Sequence, residues 1–196
     1  LGFPAPPGKT FEIVVQAGAI LAVCVTYRNR IWKATTGLTN DRKERVFARN
    51  LLVAFLPAML LGALSYPLIR HMLESPTVVA TMLVAGGVAI LLIERRGMVP
   101  TVHAIEDMRL STALHIGLFQ CLAMVPGVSR SGATIMGSLL AGVDRRTAAE
   151  FSFFLAVPTM FAATVKSIWD EKELLMESTN NEFWLLLVGN LVAFVV

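Results

Sequence analysis

The 196 residues are 55% hydrophobic and only 16% charged, with a formal net charge of +3. Soluble domains carry about 25% charged residues, so this chain has too little polar surface to cover a water-facing globule. Period-two alternation is missing, which excludes a transmembrane barrel. What remains is an all-α, polytopic membrane protein, because only helices and closed barrels satisfy backbone groups in lipid. It reads as one membrane domain over residues 1–196.

In chain order, Phe11–Tyr27 is the first apolar run, with Glu12 near one end. A basic stretch follows, in which Arg28, Arg30, Lys33, Arg42, Lys43, Arg45 and Arg49 outweigh Asp41 and Glu44. Such a cluster can serve nucleic-acid binding, but between apolar runs it is expected to be a cytoplasmic loop obeying the positive-inside rule. No nucleic-acid partner is therefore expected. Leu51–Ile69 and Pro76–Ile93 hold no Asp, Glu, Lys or Arg, and each is long enough to span hydrocarbon at roughly 17–25 residues per helix. Pro57, Pro67 and Pro158 are expected to kink or end helices, and Ser65, Gly86 and Gly87 to let helices approach closely. Phe151–Val165 and Phe183–Val196 are shorter uncharged runs. Arg95 and Arg96, then Arg145 and Arg146, read as cytoplasmic, whereas the acidic stretch from Lys166 to Glu182 reads as the opposite side. Cys24 and Cys121 lie in apolar segments without CxxC spacing and are expected to be small core residues. With Leu at position 1 and an apolar run still unfinished at Val196, the chain reads as an internal piece of a longer protein.

Leu110–Val143 breaks the pattern. Its one Asp, Glu, Lys or Arg is Arg130, and Pro126, Gly127 and Gly132 interrupt it. It is too long for one span and too short for two spans and a loop. If the basic pairs on either side of it share a face, the segment enters and leaves by that face as a re-entrant helix–loop–helix. Non-helical backbone at membrane depth must be buried in protein or reached by water, so the loop at Pro126–Gly132 is expected to face a cavity. A faint internal echo adds to this. Glu12 beside Phe11 and Glu150 beside Phe151 each open an apolar helix, as in inverted repeats whose broken helices meet at mid-membrane.

The stretch Pro126-Gly127-Val128-Ser129-Arg130-Ser131-Gly132-Ala133-Thr134 carries the chemistry. An Arg at membrane depth costs about 2.5–3.5 kcal/mol on insertion scales, so it calls for a function. Its guanidinium forks bidentately onto phosphate oxygens. Ser129, Ser131 and Thr134 add hydroxyls, and Gly127 and Gly132 let backbone turn and approach a ligand. A helix starting near Ser131 would aim free N–H groups at the same spot. These features converge on an oxyanion, phosphate or diphosphate; the competing role is an Arg snorkelling to an interface among small packing residues. A Walker A loop is excluded because Ala133 stands where its Lys would be. A lipid phosphatase of the phosphatidic-acid type would need a His where Met136 stands.

That stretch, with Glu150-Phe-Ser-Phe-Phe-Leu-Ala-Val-Pro158 and Thr10-Phe-Glu-Ile-Val-Val-Gln-Ala-Gly-Ala-Ile-Leu-Ala-Val23, resembles the bacterial undecaprenyl-diphosphate phosphatase (bacitracin-resistance) family. The resemblance implies hydrolysis of undecaprenyl diphosphate to the monophosphate carrier for wall-polymer synthesis, in the bacterial inner membrane. It also implies half of an inverted-repeat architecture, a homodimer, and dependence on magnesium or calcium. Arg130 matches the family's phosphate-binding Arg, and Ser129 and Thr134 match hydroxyls beside the substrate, so these three are the catalytic candidates. Gly127, Ser131, Gly132, Gln16 and Glu12 are the substrate-binding candidates. For Glu12 and Gln16, as for Glu150, a helix-end or interhelical hydrogen bond is the alternative role. The family's Glu-bearing motif ending in Ser-Ser-Thr-Gly-His, the expected source of metal contacts, is expected upstream of residue 1, and none of His71, His103 and His115 matches it. His115 is expected to pack between helices. A secondary transporter of an anionic substrate is the rival function, since it too would use broken helices and a buried Arg.

Overall fold

A computed structural model describes residues 10–72, 75–170 and 180–195. Their regular structure is helical: α1 (Thr10–Thr26), α2 (Arg28–Gly37), α3 (Arg42–Met72), α4 (Pro76–Arg95), a 3-10 turn (Ile105–Asp107), α5 (Leu110–Leu122), α6 (Arg130–Leu140), α7 (Arg145–Asp170) and α8 (Asn180–Val195). A single β-bridge joins Val102 to Val143. The chain divides into two compact units, residues 33–155, and residues 1–32 with 156–196. In the second unit, α1 packs against α8. The acidic residues Glu171, Glu173 and Glu177 lie outside the described residues.

Among the described residues, three helices are long and apolar enough to cross a membrane: Arg42–Ser65, Pro76–Arg95 and Arg145–Asp170. Which faces they bury is more telling than their length. On α3 the buried face is Phe47, Asn50, Ala54 and Ala58, mostly small or polar, while Leu52, Leu56, Leu60 and Leu64 stand exposed at four-residue spacing. Helix α5 repeats the arrangement, burying Ala113, Ile116, Gly117 and Gln120 and exposing Leu110, Leu114, Leu118 and Leu122. A soluble protein puts leucine inside. Here the large apolar side chains face outward and the small ones face the neighbouring helix, as packing in lipid demands. The protein is an all-helical integral membrane protein.

Several sequence expectations change, among them the close helix approach at Gly86 and Gly87, where a Cβ would meet nothing within 4 Å among the described residues. The basic stretch after α1 is not an irregular loop: α2 and the opening turns of α3 occupy most of it, leaving a short connection at Leu38–Asp41. Its inward-facing Glu44 is buried and pairs with Lys33 at 3.9 Å. The prolines do not end their helices either, since α3 runs through Pro57 and Pro67 and α7 through Pro158. Each of the three lacks the N–H for one intrahelical hydrogen bond, and the helix continues across the gap.

Leu110–Val143 folds as two helices around a loop, with α5 against α6. At 13 and 11 residues these helices are about 20 and 17 Å long, at 1.5 Å per residue, against a hydrocarbon core of about 30 Å. The chain's entry to and exit from this pair are tied together. The Gly142 carbonyl accepts from the N–H groups of Thr101 (2.8 Å) and Val102 (3.0 Å), and Asp144 N–H donates to Val102 (2.9 Å). The Thr147 hydroxyl donates to the His103 carbonyl at 2.9 Å, and Arg145 reaches Glu94 at 2.8 Å. Helix α3 anchors the approach: Asn50 is fully buried, and its amide donates to the carbonyls of Met108 (3.0 Å) and Ile105 (3.4 Å). Gly117 on α5 lies against the Ala54 carbonyl of α3, where any side chain would collide with backbone.

Candidate anion site at the head of the sixth helix

Helix α6 begins at Arg130, within one residue of the position its sequence suggested, and Ser129 is its N-cap. The Ser129 hydroxyl accepts from the Gly132 N–H at 3.1 Å, satisfying one of the free donors of the first turn. The hydroxyls of Ser129 and Ser131 lie 3.3 Å apart, and both residues are exposed. The last turn before α6 is made by Gly127, at φ +95°, a conformation that L side chains rarely adopt. The Gly127 Cα also rests against the Val79 carbonyl of α4, so a Cβ there would strike backbone. Gly132 is tight but less so: a Cβ would crowd the Ser129 side chain at 3.1 Å, which would have to give slightly, and meet Ile90 at 3.5 Å.

Arg130 is half-buried, and its Nη1 is shielded from solvent without a hydrogen-bond partner among the described residues. Buried N–H groups of a guanidinium are costly when unpaired, more so than neutral donors. Carried by the first residue of a helix whose flanking residues, Ser129 and Ser131, bear hydroxyls, this donor fits an oxyanion acceptor. The geometry therefore brings Arg130, Ser129, Ser131, Gly127 and Gly132 together.

Thr134 takes a different place. It is buried, with its hydroxyl 3.0 Å from the Arg130 carbonyl, 3.2 Å from the Ser131 carbonyl and 2.7 Å from the Ser152 hydroxyl of α7. Its hydroxyl meets α7, and the residue is buried rather than exposed at the head of α6. Gln16 is exposed on α1, in the other compact unit, and the Glu12 side chain lies outside the described residues. The His115 ring packs on Phe119, one turn along the same helix, with centroids 4.8 Å apart. A cavity of about 160 Å³ is lined by Ile93, Glu94, Met98, Leu139, Val143 and Arg145, at the far end of α6 from Arg130, so it is not the one expected at the loop. Ser152 and Asn50 were missed by sequence reasoning, because a lone polar residue in an apolar run has no spacing signature.

No three His, Cys, Asp or Glu side chains come together among the described residues. The head of α6 offers hydroxyls, N–H groups and a guanidinium, which suit an anion and not a divalent cation. These residues therefore do not fit the metal that the resemblance implies.

The family profile described as bacitracin resistance protein BacA matches residues 2–196. The chain belongs to that family. Its relatives include undecaprenyl-diphosphatase 2 of Paramagnetospirillum magneticum, 61% identical over 86% of this chain and 64% of the relative. The undecaprenyl-diphosphatase of Sphingopyxis alaskensis is 53% identical over 100% of this chain and 73% of its own length. That of Azospirillum brasilense is 60% identical over 77% of this chain and 81% of its own. Measured against the first of these BacA-family relatives, the chain spans just under two thirds of the relative's length.

Proposed function

We propose that the whole protein is an undecaprenyl-diphosphatase, cleaving the terminal phosphate from undecaprenyl diphosphate and so renewing the monophosphate carrier and conferring bacitracin resistance. The observation that carries this reading is the buried Nη1 of Arg130, without a hydrogen-bond partner among the described residues, on the residue that opens α6 between Ser129 and Ser131. The names of the relatives supply the substrate. In this reading Arg130 forks onto the diphosphate, and Ser129, Ser131 and the first-turn N–H groups complete the cradle. Hydrolysis breaks the bond between the two phosphoryl groups, water supplies the oxygen that ends on the released phosphate, and the lipid monophosphate departs. Negative charge shifts toward the bridging oxygen as that bond breaks, and a fixed guanidinium stabilises it without reorganisation.

The α5–α6 pair is, on the same reading, re-entrant. Both helices are shorter than the hydrocarbon core, their outer ends are tied together, and the Leu stripe of α5 suits contact with lipid. This would let a charged loop sit at depth within protein in a bacterial inner membrane. Dependence on magnesium or calcium would rest on residues of the whole protein other than those at the head of α6, and loss of activity on chelation with recovery on re-addition tests it. The decisive experiment is release of inorganic phosphate from undecaprenyl diphosphate by the purified whole protein in detergent. Saturable anion uptake into vesicles without phosphate release would favour a transporter instead.

A further inference from the structure

The three oxygens around the Thr134 hydroxyl fix the direction of its hydrogen bonds. Two are the carbonyls of Arg130 and Ser131, at 3.0 and 3.2 Å, and carbonyls only accept. The third, the Ser152 hydroxyl at 2.7 Å, is the only one with a proton to give. Thr134 has one proton. All three short approaches are satisfied only if Thr134 donates it to the carbonyls while accepting from Ser152. The reverse direction would leave hydroxyl and carbonyl oxygens in contact with no proton between them.

A one-way chain therefore runs from Ser152 on α7, through Thr134, to the backbone of Arg130 and Ser131. It lies in buried surroundings: Thr134 is 1% exposed and Ser152 7%. Phe151, Phe154 and Leu155, which flank Ser152 on α7, are buried as well. A hydroxyl in such a face is costly unless it is hydrogen-bonded, and the Thr134 hydroxyl meets it at 2.7 Å. Another hydroxyl, Ser138, donates to the Thr134 carbonyl at 2.7 Å, so it leaves the Thr134 hydroxyl to the chain described.

We infer that Ser152 is a positioning residue for the anion site: through the Thr134 hydroxyl it fixes the first turn of α6, and so the direction in which the Arg130 guanidinium and the first-turn N–H groups point. The inference rests on the phosphatase reading of that site. Ser152 itself touches no substrate. Its effect should appear in turnover, since misplacing a transition-state donor by a fraction of an ångström slows the chemistry more than it weakens binding.

The test is a double-mutant cycle in the whole protein, with undecaprenyl diphosphate as substrate and thermal stability in detergent as the folding control. Ser152→Ala and Thr134→Val should each lower kcat by roughly tenfold, with KM changed less than about twofold. The double variant should be no slower than either single one, because both break the same chain. Losses that multiply in the double variant, or wild-type kcat in Ser152→Ala, overturn the inference. Should Ser152→Ala fail to fold, Ser152→Cys fills the same space with a weaker donor. The folded Cys variant should lose severalfold in kcat, and wild-type kcat there also overturns the inference. Failure of the phosphatase reading is seen separately, as absence of phosphate release by the unmutated protein.

Discussion

The Asn50 side-chain amide donates to the Met108 carbonyl at 3.0 Å, joining the middle of α3 to the turn that launches α5. Its oxygen accepts from Arg49 at 3.2 Å, and the residue is fully buried. Replacement by Leu removes the donor and leaves the Ile105 and Met108 carbonyls without it, at about 1–3 kcal/mol for a buried unsatisfied group. Asn50→Leu should lower stability by roughly 2–4 kcal/mol. Thermal unfolding in detergent reads this as a drop of several degrees in midpoint, and an unchanged midpoint would remove Asn50 from the anchoring role.

Arg130→Lys keeps the positive charge and nearly the length. A snorkelling or packing Arg should tolerate it, but an ammonium cannot present two parallel donors in a fixed plane. Loss of a transition-state donor of this kind costs about 10²–10³ in rate. The Lys variant should therefore fold and lose at least roughly a hundredfold in phosphate release, with Arg130→Ala no better. Retention of more than about a third of wild-type turnover would show that the guanidinium is not the clamp.

Gly127→Ala meets two obstacles. Its left-handed backbone disfavours any Cβ by about 1–2 kcal/mol, and the Val79 carbonyl occupies the space the Cβ needs. The loop should swing away from α4 and carry Ser129 and Arg130 with it. Turnover is expected to fall by at least about tenfold, a larger effect than Gly132→Ala, where a Cβ meets only side chains. Equal activity of the two variants would contradict this ordering.

Labelling tests the placement of the α5–α6 pair. After replacement of Cys24 and Cys121 by Ser, single cysteines at the exposed positions Val99 and Arg146 should both react with a membrane-impermeant maleimide from the same face of sealed vesicles. Reaction from opposite faces would mean that the pair crosses.

Much of this architecture was legible before any coordinates. The uncharged runs Leu51–Ile69 and Pro76–Ile93 lie within α3 and α4, because charge cannot be hidden along a helix in lipid. The density of Pro126, Gly127 and Gly132 in an apolar stretch marked the loop before α6. Composition could not show that α3 starts as early as Arg42, since a charged helical turn reads like a charged loop. Nor could spacing decide which hydroxyls face outward. Ser131 and Thr134 lie on the same helix three residues apart, yet Ser131 is exposed while Thr134 is buried against α7. That outcome depends on where α7 packs. Ser152 and Asn50 were illegible for the same reason, as their partners are distant in sequence.

The bonds from Thr101 and Val102 to the Gly142 carbonyl bear on biosynthesis as well as shape. They close a loop between residues 41 apart in sequence. A chain that returns to its starting point crosses any membrane an even number of times, so the whole stretch between leaves the parity of the later helices unchanged. The ribosome must also make Gly142 before that closure can form, by which time both α5 and α6 exist. Helix α6, with Arg130 at its head, is thus held by this closure only after its neighbour α5 has been made.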